Sequence, residues 1–222
     1  METPYRREPG YAERYRDRRF ATRHGPGTDR RERRAIRTLL ARIPDKEGPW
    51  LDVPSGAGRL SEELPGPAVL VDRDRSMLAA CRTRGRSVCA SALALPFPDG
   101  AFHGALCMRL LQHIPSRTER VRILAELRRV ARGPLIVSFF DAATVQHVRR
   151  VLRRATGKPV SGRCAITRAA FADEVAESGS ELACMIALRR FVSEQTLALL
   201  TPPSRARARN QQALNARVLD SR

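Results

Sequence analysis

The chain has 222 residues, 42% apolar and 29% charged, enough for one domain with a full hydrophobic core. It carries 41 basic against 23 acidic residues, a net charge of +18, and no apolar run approaches the ~20 residues of a membrane-spanning helix. Five dispersed cysteines (Cys81, Cys89, Cys107, Cys164, Cys184), none in a CxxC spacing, exclude a disulfide scaffold and a zinc finger; they suit a reducing cytoplasm, and no metal site is expected.

Residues 1–34, with eleven arginines and six acids, form a basic arm in which Tyr11 and Tyr15 alternate with arginines near helical spacing. Asp29 is expected to cap a helix whose apolar stripe is Ala35, Ile36, Leu39, Leu40 and Ile43. A domain over 35–202 then alternates helical patterns with short apolar runs at 50–53, 68–72, 87–90, 105–108, 135–140, 182–191 and 196–200. Several runs are continuous, as in strands covered on both faces, and the alternation implies a doubly wound α/β fold.

The helices are punctuated. Asp74 suits the N-cap of a helix with Met77, Leu78 and Cys81 inward, stopped at Gly85. Ser116 and Glu119 have the form of a capping box before a stripe of Val121, Leu124, Leu127 and Val130 that ends at Gly133-Pro134. Thr167 starts a last helix, with Phe171 and Val175 inward and Gly179 closing it. Between them, the span 142–172 holds seven basic residues (Arg149, Arg150, Arg153, Arg154, Lys158, Arg163, Arg168) and no acid. Asp141 is expected to cap a helix there, with Val145, Val148 and Leu152 on one side and Arg149, Arg150, Arg153 and Arg154 on the other. The basic tail 203–222 has little apolar content and reads as disordered.

The stretch Asp52-Val-Pro-Ser-Gly56-Ala-Gly58 carries the chemistry. Gly56 and Gly58 remove side chains where backbone must approach a ligand, and the turn leads into a helix N-terminus. Asp72 closes the second strand twenty residues after Asp52, where a carboxylate can accept hydrogen bonds from a ribose diol. A dinucleotide fingerprint would need glycine at position 61, which is Ser61. Asp52 would also repel a pyrophosphate, whereas an acid there suits a cationic cofactor.

Three further segments follow in order: Ala92-Leu-Ala-Leu-Pro96-Phe97-Pro98-Asp99-Gly-Ala-Phe102, Arg109-Leu-Leu-Gln-His113 and Glu126-Leu-Arg-Arg-Val130. Together with the glycine turn, they resemble the class I S-adenosylmethionine-dependent methyltransferases, particularly the small bacterial kind similar to ubiquinone/menaquinone methyltransferases. The resemblance runs from about residue 50 to 140 and more loosely to 200. It implies one domain with a Rossmann-like, mostly parallel, seven-stranded sheet, and S-adenosylmethionine as cofactor. It also implies cofactor contacts from Asp52, Pro54, Ser55, Gly56 and Gly58 in the turn, Asp72 at the ribose and Ser91 at the adenine, with Arg73, Ala92, Leu93, Met108 and Arg109 beside them. Three positions depart from the pattern. Pro54 replaces the first glycine, Ser91 stands where an aspartate usually meets the adenine amino group, and His103 replaces an aspartate with a structural role expected.

In the family's reaction an acceptor lone pair attacks the sulfonium methyl in line, so positioning and desolvation dominate and no triad need be visible. A base is required only for an acceptor that must lose a proton. His113 is the first candidate, because the loop after the fourth strand reaches the methyl in this fold; packing on adenine or capping the next helix is its competing role. His24 and His147 are weaker candidates. The resemblance further suggests that the arm is a lid over the cofactor. The acid-free span points to an anionic acceptor: a phosphorylated lipid or glycan, a carboxylate metabolite, or an RNA backbone. A small-molecule or lipid-like acceptor is the leading reading. The alternatives are an RNA methyltransferase, without the Asn/Asp-Pro-Pro-aromatic tetrapeptide of the amino-methylating nucleic-acid enzymes, and an inactive cofactor-binding partner protein. Nothing in the spacing decides the oligomeric state.

Overall fold

A computed structural model describes residues 8, 10–18, 21, 25–81, 85–156 and 162–203. His24, Lys158, the Arg154 side chain and the tail beyond residue 203 lie outside the described residues. Seven strands form one sheet in the order β3-β2-β1-β4-β5-β7-β6. They are β1 (Trp50–Asp52), β2 (Ala68–Asp72), β3 (Arg86–Cys89), β4 (Gly104–Cys107), β5 (Leu135–Phe140), β6 (Glu181–Ala187) and β7 (Gln195–Thr201). The first five pair in parallel, and β7 runs antiparallel to both β5 and β6. Chain order reverses between β1 and β4, which makes the crevice above their C-terminal ends the topological switch point where open α/β sheets bind ligands.

Among the described residues, six α-helices complete the layers: α1 (Tyr11–Arg18), α2 (Gly25–Leu40), α3 (Arg75–Ala79), α4 (Arg117–Val130), α5 (Val145–Ala155) and α6 (Arg168–Glu177). Alternation along the strands divides the core into two faces. On one face, Leu135, Val137 and Phe139 of β5 pack with Leu124 and Leu127 of α4 and with Phe171 of α6, whose ring stacks on Phe139 at 4.0 Å. On the other, Ile136, Leu106 and Trp50 meet Ile36 and Leu39 of α2. His103 is structural, as expected: its buried ring lies 5.7 Å from Trp50 and its Nε2 is 3.0 Å from the Asp45 carbonyl.

Three of the expected N-caps are present. Asp74 accepts from the Ser76 amide, Ser116 from Glu119 and Thr167 from Ala170. Two are corrected. Helix α2 begins at Gly25, and Asp29 sits inside it with its carboxylate turned to Arg33 and Arg59. Asp141 is committed to the Ala143 amide and to Arg168 Nε at 2.6 Å, so Thr144 Oγ1 accepts from the His147 amide at the start of α5. The apolar run 182–191 was also too long for a strand. Strand β6 stops at Ala187, and the chain turns back with Val192 and Ser193 amides bonded to the Arg189 carbonyl and Phe191 at φ 62°.

Candidate functional site

The crevice is built from three strand ends and the turns that follow them. After β1 the chain makes a turn in which Gly56 has φ 56° and Gly58 has φ 75°, backbone angles that L side chains rarely adopt. A Cβ at Gly56 would also press to 3.3 Å of Met77 Cε from α3. Asp72 at the end of β2 fastens this turn. Its Oδ2 accepts from the Gly56 amide and its Oδ1 from the Asp74 amide, each at 2.9 Å. Ser55 is buried and donates its amide to the Val71 carbonyl at 2.8 Å. The Val53–Pro54 peptide is cis, and Pro54 is half-buried.

Asp52 lies beneath the turn, almost fully buried, with the Ser61 hydroxyl donating to it at 2.5 Å. Burial pushes its carboxyl up to about 7, and the nearby Asp72 charge adds to the rise against the Ser61 hydrogen bond. A carboxyl poised there gains its charge most readily when a cation arrives beside it. Next to Asp72, the Ala90 amide bonds to the Asp72 carbonyl and leads into Ser91, Ala92 and Leu93. Ser91 is exposed and accepts from the Leu93 amide at 3.2 Å; Ala92 and Leu93 are half-buried against the α4-side core. Arg73 is exposed. The residues expected from the turn, from β2 and from 91–93 therefore share one rim.

The other wall is set by β4. Its Leu106 pairs with Asp52, and Arg109, two residues past the end of β4, stands at φ 60° with its amide donating to Ser138 Oγ at 2.7 Å. Met108 has its side chain buried in the α2-side core. Arg109 also has a second role: its Nε binds Glu32 of α2 at 2.7 Å. His113 ends a short 3-10 turn, Leu111–His113, and is exposed.

Glu32 is the residue that sequence reasoning missed. It is completely buried and receives Arg59 at 2.6 Å, Arg109 at 2.7 Å and the Gln195 side-chain amide at 2.6 Å. It thereby ties α2 to the segment after the glycine turn, to the end of β4 and to the start of β7. Arg33 and Arg37 extend the lacing to Glu63, at 2.7 and 2.6 Å. A signal was present: Glu32 falls on the stripe of Ile36 and Leu39, where an acid is out of place unless it meets buried cations. Helix α1 packs Ala12, Tyr11 and Tyr15 against Ala57 of the turn and against Met77 and Ala80, with Arg16 donating to the Ala80 carbonyl at 2.9 Å.

Comparison with known proteins agrees with the fold. Residues 51–137 match the methyltransferase domain family. Among solved structures, the magnesium protoporphyrin IX methyltransferase of Synechocystis PCC 6803 has the same fold at a TM-score of 0.67, with 14% identity over 86% of this chain and 98% of that one. It has been seen with bound S-adenosylhomocysteine and with S-adenosylmethionine. A S-adenosylmethionine-dependent methyltransferase of Methanosarcina mazei aligns at 0.59, with 17% identity over 74% and 96% of the two chains. A chain in the complex of the Haloferax volcanii Trm112 methyltransferase activator aligns at 0.63, with 14% identity over 87% and 97%. No curated protein matches the chain in sequence.

Proposed function

We propose that this chain, a member of the class I S-adenosylmethionine-dependent methyltransferases, transfers its methyl group to an anionic small-molecule or lipid-like acceptor that approaches beside the span 142–172. One observation carries the reading: that span follows β5 directly at the rim holding the switch point, and it contains seven cations and no acid. Arg150 and Arg168 are engaged by Glu194 and Asp141, while Arg149 and Arg153 are exposed. Those two would draw an anion toward the crevice.

The residues present fit the cofactor. Asp52, Pro54, Ser55, Gly56 and Gly58 would receive its amino-acid end, with the buried Asp52 carboxylate as counter-charge. Asp72 and Arg73 would face the ribose, and Ser91, Ala92 and Leu93 the adenine. When bound, S-adenosylmethionine supplies a methyl on a positively charged sulfur. Arg109, held by Ser138 and Glu32, fixes the β4 end of the crevice. Helix α1, seated on Ala57, would act as a lid that excludes water. Attack of the acceptor's lone pair on that methyl would release a neutral thioether, so the work left to these residues is to orient the acceptor and exclude water. His113 takes a proton only where the acceptor must lose one.

The test is transfer of a labelled methyl group to fractionated lipid, metabolite and RNA extracts by the intact chain and by Arg149→Glu/Arg153→Glu. The expected result is label in an acidic lipid or metabolite fraction, with KM raised at least tenfold in the variant and kcat little changed. Label in RNA, with log affinity falling linearly in log salt, would favour the nucleic-acid alternative.

A further inference from the structure

Helix α5 is mounted with its polar face inward. Gln146 Oε1 accepts from the Glu194 amide at 3.3 Å, His147 Nδ1 lies 3.5 Å from Glu194 Oε1, and Arg150 reaches that oxygen at 3.0 Å and the Arg163 carbonyl at 2.6 Å. The opposite face is aliphatic and faces solvent: Val145, Val148, Val151 and Leu152 are 49%, 54%, 51% and 60% exposed. A surface helix of a soluble domain normally does the reverse.

The apolar surface continues off the helix. Amides of Val145 and Gln146 donate to the carbonyls of Phe191 and Val192, which brings the 188–193 turn alongside. Phe191 and Val192 are 64% and 44% exposed, and Phe191 is held at φ 62°, where an aromatic residue is rarely found. Cations border the patch. Arg149 and Arg153 flank the helical stripe, Arg189 and Arg190 are exposed on the turn, and the Arg190 guanidinium lies 5.0 Å from the Phe191 ring centroid. The neighbouring acids Asp141 and Glu194 are buried and turned inward to Arg168 and Arg150.

We propose that α5 and the 188–193 turn seat this protein on an anionic lipid bilayer, with the aliphatic residues and Phe191 at the acyl boundary and the arginines among the headgroup phosphates. Branched aliphatic side chains gain nothing from a phosphodiester backbone, and bordering arginines gain nothing from an apolar protein groove. An anionic bilayer satisfies both at once. No helix among the described residues is long and apolar enough to cross a membrane, so the association is interfacial. Because α5 follows β5 at the rim of the crevice, docking would turn the site toward the bilayer. The proposal stands on the patch itself and holds whichever acceptor is methylated.

The test is co-sedimentation of the full chain with vesicles of phosphatidylcholine alone and of equal parts phosphatidylcholine and phosphatidylglycerol. Binding is expected only to the anionic vesicles, weakening with salt. Both Val148→Ser/Leu152→Ser and Arg149→Glu/Arg153→Glu should lose at least tenfold in partition while binding S-adenosylmethionine as before, which separates lost docking from lost folding. In Phe191→Trp, tryptophan emission should shift to the blue on anionic vesicles. If the arginine variant loses binding but the serine variant keeps it, the apolar face is not inserting and the proposal fails. It fails equally if no vesicle binds, or if the serine variant merely splits a dimer of the free chain.

Discussion

Helices α2 and α5 are both amphipathic, yet they are oriented oppositely. Helix α2 buries its apolar stripe and, on the same stripe, one carboxylate that gathers two arginines and a glutamine. Helix α5 buries a polar contact with Glu194 and leaves its aliphatic stripe in solvent. The difference separates architecture from use. Burial that closes the crevice stabilises the fold, whereas apolar surface left outside contributes nothing to folding and is available to a partner.

The sharpest way to break this contrast is to remove Glu32. Glu32→Ala leaves Arg59 and Arg109 without their shared buried counter-charge, and a loss of about 3–5 kcal/mol is expected in denaturant unfolding. An unchanged midpoint would show that α2 is not anchored there. The next effect concerns Asp52. Its folded carboxyl keeps its proton up to about 7, whereas the unfolded carboxyl has lost it near 4. The unfolded state therefore binds fewer protons across that window, and stability of the cofactor-free protein falls as pH rises from about 4 to about 7, by a few kcal/mol in all. Asp52→Asn should flatten the dependence of melting temperature on pH across the same interval.

A smaller effect is expected at Asp72, whose carboxylate holds the glycine turn. Losing charge-assisted hydrogen bonds worth roughly 1.5–3 kcal/mol should weaken S-adenosylmethionine roughly ten- to hundredfold in calorimetric titration of Asp72→Ala. The smallest belongs to α5. Val148→Ser/Leu152→Ser should change unfolding free energy by no more than about 0.5 kcal/mol, because both side chains are already in water. A large loss of stability there would mean that the aliphatic face packs against this chain itself and that the contrast with α2 is false.

Much of the fold was legible because its signals are local. Short apolar runs, several of them continuous, marked the seven strands, and Asp74, Ser116 and Thr167 cap the helices they precede, since a side-chain oxygen one turn from an orphan amide needs only local geometry. The errors arose where a distant partner outbid the local one. Asp29 is claimed by Arg59, thirty residues away, and Asp141 by Arg168, so neither is left to start a helix. Run 182–191 ended early because β6 needs β7 as its neighbour, and that pairing reaches only Ala187. Met108, one residue from Arg109, turned into the core while Arg109 turned to the rim.

The sequence by itself determined the order of strands and helices, the glycine turn, the two acids at the ends of β1 and β2 and the uneven placement of charge, all of which depend on spacing along the chain. Only the tertiary structure decided which way each amphipathic helix faces and which arginines are already paired. Those outcomes depend on groups far apart in sequence. Glu32 meets Gln195 across 163 positions, and Arg150 meets Glu194 across 44. Periodicity shows that a helix has two faces; the partner brought to each face by the folded sheet decides which one is turned to water.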